Sequence, residues 1–164
     1  ISDLSAIGAP TRSLVVPLEI TSLVFSIVFA IGVWSFTREN TLLRITAVML
    51  LVSGVFSLIG TFFPVHLAEG ITTSANKTNT VIIGLSVLFL VLSMVFGAAA
   101  FKGWFRIFSI GLFVVFLVED VWATWGRPFS LGGARGPLVG IQERTMLWGY
   151  LMCMAVLAVK LLRA

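Results

Sequence analysis

One cysteine and one histidine stand in this 164-residue sequence, and much protein chemistry is excluded by that scarcity. A single cysteine leaves no intrachain disulfide and no cysteine-built metal or iron–sulfur site. Cys153 lies inside an apolar run, where a small packed or lipid-facing side chain is expected. A single histidine cannot supply the paired axial ligands of a b-type haem bundle, nor a His-rich zinc site. No GxSxG elbow, Walker loop or GxGxxG occurs. Gly132-Gly133-Ala134-Arg135-Gly136 is glycine-rich, but no strand precedes it, so a loop is expected. Asn76-Lys77-Thr78 fits the glycosylation pattern and lies almost against a helix, where it is read as chance outside a eukaryotic host. No catalytic residue, metal ligand or cofactor is therefore indicated.

Charge is scarce as well. Only 11% of residues are charged and 59% are hydrophobic, with a mean hydropathy of +1.09. Soluble domains carry about a quarter charged residues and fewer than half apolar ones. A body of this size cannot hide so much apolar surface in a single core, so lipid must be the solvent for much of it. The net charge of +4 and pI near 10.0 do not indicate nucleic-acid binding. The basic residues sit in short clusters between apolar runs and form no contiguous patch.

An apolar helix needs about 20 residues to cross about 30 Å of hydrocarbon. Five segments qualify: 13–36, 42–63, 78–101, 105–125 and 141–162. The expected fold is thus all-α, a single transmembrane bundle over residues 1–164 with five spans. The links at 37–41 and 102–104 are short, so the helices they join must be antiparallel neighbours. Those at 64–77 and 126–140 are longer and rich in turn formers such as Pro64, Gly70, Pro128 and Pro137. The chain opens at Ile1 with no signal-peptide pattern, so a start removed or unrepresented is expected.

Five spans would put the termini on opposite membrane faces. Face 1 takes the N-terminus and the long loops, and face 2 takes the short loops and the C-terminus. Arg38, Arg44, Lys102, Arg106, Lys160 and Arg163 crowd the helix ends of face 2. Arg12, Lys77, Arg127, Arg135 and Arg144 are spread through longer segments of face 1. By the positive-inside tendency, face 2 and the C-terminus are expected in the cytoplasm. Trp34 and Trp104 at face 2, and Trp122 and Trp125 at face 1, fit interfacial positions.

The acids are sorted too, although the positive-inside effect barely counts them. Only Glu39 belongs to face 2. Asp3, Glu19, Glu69, Glu119, Asp120 and Glu143 project to face 1, with His66. Glu19 lies two turns into the first span beside Pro17, and Glu119 and Asp120 lie about 8–9 Å inside the end of the fourth. A carboxylate in a span costs up to about 2.5–3.5 kcal/mol at mid-bilayer and usually finds a partner in the bundle. One expectation is a polar lock, with Glu19, Glu119 or Asp120 paired to Arg144 or Arg127. The other is a pocket of Asp3, Glu19, His66, Glu69, Glu119, Asp120, Arg127, Glu143 and Arg144 that holds a lipid head group, an ion or a proton relay. Glu119 and Asp120 point about 100° apart on a helix, which weakens a metal version.

Small polar residues repeat at helical spacing. Thr46, Ser53, Ser57 and Thr61 share one face of the second span, and Glu19, Ser22 and Ser26 share one of the first. Interhelical hydrogen bonding is the expected use of such stripes, and a water-filled path the sharper alternative. Gly54, Gly60 and Gly97-Ala98-Ala99-Ala100 point to close packing.

Three stretches together resemble a known family: Ile1-Ser2-Asp3-Leu4-Ser5-Ala6 with Gly8-Ala9-Pro10-Thr11-Arg12, then Phe63-Pro64-Val65-His66, then Gly140-Ile141-Gln142-Glu143-Arg144. The arrangement is similar to domain-of-unknown-function family 998, multi-pass membrane proteins mostly of bacteria and archaea, over essentially the whole chain. The resemblance implies a further span before Ser2, making six helices with both termini in the cytoplasm. Members often carry a second histidine with a nearby aspartate after the Phe-Pro motif. Here that region reads Asn76-Lys77-Thr78-Asn79-Thr80, so histidine-pair chemistry does not carry over. The family has no established activity.

The functional expectation is a non-enzymatic bundle in a bacterial or archaeal cytoplasmic membrane. It would be free-standing or an accessory subunit of a larger complex, with lipids, other membrane subunits or itself as partners. The rival is binding or catalysis on a lipid or other amphiphile in the face 1 pocket. A transporter is a third option, disfavoured because the middle of the spans is nearly free of charge.

Overall fold

The computed structural model describes residues 2–5, 7–37, 39–63, 74–125 and 139–163, with the backbone alone at residues 2, 3, 74–77, 120, 122–125, 139 and 142. Regular structure among them is helical throughout. A single turn, α1 (Ser2–Ser5), precedes five long helices: α2 (Arg12–Phe36), α3 (Thr41–Thr61), α4 (Ser74–Ala100), α5 (Trp104–Trp125) and α6 (Val139–Leu162). These long helices match the five expected segments to within four residues at every end, and α1 is the addition.

Local chemistry explains the boundaries. α2 closes where Thr37 leaves helical geometry, its buried hydroxyl donating to the Val33 carbonyl at 2.7 Å. Asn40 then adopts extended geometry and caps α3, its side-chain oxygen accepting from the N–H groups of Leu42 at 3.1 Å and Leu43 at 3.3 Å. α3 ends by tightening, with Phe62 N–H on the Ile59 carbonyl and Phe63 N–H on that of Gly60, both at 3.0 Å. α2 runs unbroken through Pro17, where Thr21 donates to the Pro17 carbonyl at 2.8 Å. Between α4 and α5 the chain reverses in three residues. Gly103 stands there at φ +80°, a conformation that residues with a Cβ rarely adopt.

Four helices or helix stretches are long and apolar enough to cross a membrane: Arg12–Phe36, Thr41–Thr61, Thr78–Ala100 and Glu143–Leu162. Large apolar side chains point outward from these helices, among them Leu14, Leu18, Phe25, Val28 and Ile31 on α2. Keeping each one in water would forgo about 1.5–3 kcal/mol, so a hydrocarbon surround is the economical solvent.

The chain packs as two compact units, Ile1–Phe96 and Gly97–Ala164. In unit 1, α2 lies antiparallel to α3. A Cβ added at Gly54 would come within 3.0 Å of Ile27, so the glycine allows the close approach. Near the far end of this pair the Arg44 guanidinium covers the Trp34 ring at 4.4 Å. α3 lies antiparallel to α4, with Gly60 against Ile83 and Phe56 stacked on Phe89 at 5.8 Å. In unit 2, α5 meets α6 where Phe116 and Leu112 press on Gly149. Phe105 is fully buried and receives the ring edges of Phe101 at 4.9 Å and Trp104 at 6.3 Å.

Candidate functional site

The two expectations for the polar residues, helix packing and a face 1 pocket, meet different fates. Ser53 Oγ donates to the Ser86 carbonyl at 2.9 Å, and Ser86 Oγ donates to the Ser53 carbonyl at 3.1 Å. Ser57 Oγ shares a close hydrogen bond with Ser86 Oγ. Ser53 and Ser86 are buried near the midpoints of their helices, so three hydroxyls and two carbonyls satisfy one another where hydrocarbon offers no alternative. The other hydroxyls of the same stripe turn inward on their own helix. Thr46 donates to Leu42 at 2.9 Å and Thr61 to Ser57 at 3.2 Å. On α2, Ser26 does the same with Ser22 at 3.0 Å.

One residue of this region was missed by sequence reasoning as a structural element. The Asn79 side-chain amide, near the start of α4, donates to the Phe63 carbonyl and, at 3.4 Å, to that of Gly60. The Gly60 carbonyl already accepts the Phe63 N–H, so Asn79 adds a second donor there and supplies one to Phe63, closing the end of a helix that is not its own. In sequence it stood only as a departure from a family pattern.

The face 1 residues are distributed over both units. Asp3 lies in α1 and Glu19 in α2, both in unit 1, and Glu19 is half-buried and engaged in an interaction. His66, Glu69 and Arg127 lie outside the described residues. Unit 2 holds Glu119 and Asp120 near the end of α5, and Glu143 and Arg144 near the start of α6. Counting three residues on from Phe116 and three back from Gly149 sets Glu119 level with Met146. Arg144 is two residues further, or about 3 Å along the axis. Each unit therefore brings its own acids to one end, with Glu39 at the opposite end of unit 1 as the expected exception.

Two polar atoms here are shielded without a partner among the described residues, Glu119 Oε2 and Arg12 Nη1. Glu143 is half-buried and engaged, while Arg144 is exposed. Ser109 Oγ is likewise buried and unpartnered, on the α5 face that also buries Phe105 and Phe116. Among the described residues, no three His, Cys, Asp or Glu side chains gather to hold a metal ion.

These features define an all-helical protein with four helices able to cross a membrane and with polar groups used for interhelical contact. No family model, curated protein or solved structure matches the chain.

Proposed function

We propose that the chain is a multi-pass membrane protein without a catalytic centre, a helical bundle that stands alone or serves as an accessory subunit of a larger membrane complex. The observation that carries this reading is the Ser53–Ser57–Ser86 cluster. Its mid-helix hydroxyls are consumed by helix–helix bonds, which leaves them unavailable for transport or chemistry. In this reading α5 is a fifth span. Its 22 residues would extend about 33 Å, and Ile107, Ile110, Val114, Leu117, Val118 and Val121 are exposed along it. The short loops and the C-terminus face the cytoplasm, as the crowding of cations at face 2 favours. The resemblance to family 998 extends the proposal to a bacterial or archaeal cytoplasmic membrane.

The decisive experiment is extraction from native membranes in a mild detergent, followed by measurement of particle mass and lipid turnover. The expected result is an inert particle, either a single bundle with bound lipid or a defined larger assembly. Hydrolysis or modification of a membrane lipid by the purified protein would overturn the reading.

A second reading rests on Glu119. Its shielded oxygen, which has no partner among the described residues and lies beside the start of α6, suits a binding site for a lipid head group or other amphiphile at face 1. A head group held there, and lost in Glu119→Gln, would favour that reading over the inert bundle.

A further inference from the structure

The opposite end of unit 2 has a charge distribution that the bundle does not use. Lys102 and Arg106 flank the start of α5, and Lys160 and Arg163 close α6. Lys102, Arg106 and Arg163 are exposed. The Lys160 ammonium lies 5.9 Å from the centre of the Phe101 ring, which ties the end of α6 to the turn between α4 and α5. Beneath these cations is an aromatic floor. Phe101 and Trp104 pack against Phe105, and Trp104 also meets Phe108 at 6.4 Å, while remaining 57% exposed.

No acidic side chain of unit 2 offsets this charge. The acids of unit 2 are Glu119, Asp120 and Glu143, all at the other end. Glu143 and Lys160 are 17 residues apart on α6, or about 25 Å, which is well beyond the screening length of about 8–10 Å. α5 carries no acid in its first turn, so its positive end adds to the field. Lys160 beside the Phe101 ring, with Lys102, Arg106 and Arg163 at the same end of unit 2 and no acidic side chain of that unit there, calls for an external anion. At a membrane surface, phosphate-bearing lipid is the anion held at the height of the ring.

We propose that this end of unit 2 binds the phosphate of an anionic phospholipid. Lys102, Arg106 and Lys160 hold the head group, and Trp104 and Phe101 seat the glycerol and upper chain. The inference rests on the membrane reading but not on the inert-bundle one, since an enzyme could carry the same site.

The test is native mass spectrometry of the detergent-purified chain, titrated with phosphatidylglycerol, phosphatidylcholine or inorganic phosphate. Phosphatidylglycerol is expected to be retained at least about tenfold more tightly than phosphatidylcholine, at about fivefold per cation near the surface. The double variant K102Q/R106Q should lose roughly 25-fold in that affinity by the same rule, while K102R/R106K keeps it. Should the neutral variant fail to fold, the wild-type preference must still fall steeply as salt is raised. Equal retention of both lipids, a salt-independent preference or undiminished binding by K102Q/R106Q would overturn the proposal. Displacement of the lipid by millimolar inorganic phosphate would assign the site to a free anion and overturn the lipid assignment.

Discussion

Ser53 and Ser86 each donate a hydrogen bond to the other's backbone carbonyl, at 2.9 and 3.1 Å, across the antiparallel contact of α3 and α4. Reciprocal pairing of this kind fixes both the depth and the rotation of the two helices, because a slip by one residue breaks both bonds. Hydrogen bonds between membrane helices average about 0.6 kcal/mol and reach about 1.7 kcal/mol.

Ser86→Ala removes the hydroxyl that donates to the Ser53 carbonyl and meets Ser57 Oγ, and should destabilise the protein by about 1–2 kcal/mol. Ser57→Ala, which loses one contact, should cost about 0.6 kcal/mol. Reversible unfolding in mixed micelles would measure both, and equal effects would show that Ser86 is not the hub of the serine cluster.

Gly149→Ala should be damaging. The added methyl would come within 2.7 and 2.8 Å of the Phe116 ring and 3.0 Å of Leu112, and overpacking of this sort costs about 1–3 kcal/mol. Gly111 on α5 has nothing within 4 Å of the same construction, so Gly111→Ala should be neutral or stabilising by up to about 1 kcal/mol. Thermal unfolding of the two variants in one detergent separates them. The α5–α6 packing is wrong if both behave alike.

Asn79→Ala removes a donor from the Gly60 and Phe63 carbonyls at the end of α3. A loss of about 1 kcal/mol is expected. Asn79→Asp should cost more, since a carboxylate faces two acceptors instead of donating to them. Hydrogen exchange in the last turn of α3 should rise in both variants, and a change confined to α4 would count against the cap.

Glu119 and Arg144 are one candidate pair of the lock, beside Glu19, Asp120 and Arg127. A double-mutant cycle with Glu119→Gln, Arg144→Gln and both together should give a coupling of about 0.5–3 kcal/mol if the side chains pair in the membrane. Additive effects would remove this pair from the lock, and additive effects in the Glu19, Asp120 and Arg127 pairings as well would remove the lock itself.

The helices were legible in the sequence because apolar length is a direct consequence of bilayer thickness. The ends agree with the structure where a capping residue such as Asn40 announces them, and drift where the boundary is set by contacts, as at Phe62. The serine stripe on α3 was visible as spacing, but its partner was not. Ser86 is a lone hydroxyl in an apolar run, and only the register of α3 against α4 makes it a hub. Asn79 was hidden for the same reason, since a cap supplied by another helix leaves no local pattern. Of the face 1 residues, the sequence could show that acids are sorted to one end. Which of them touch is decided by helix rotation, and the period of one helix does not encode its rotation against another.

The reciprocal serine bonds also have a bearing on biosynthesis. Ser53 leaves the ribosome 33 residues ahead of Ser86, so α2 and α3 emerge as a hairpin before its acceptor does. Until α4 arrives, the early hydroxyl must borrow a carbonyl from its own preceding turn, as Thr46 does permanently. Insertion of α4 is then a handover, and a stalled chain ending before Ser86 would carry a hairpin free to rotate.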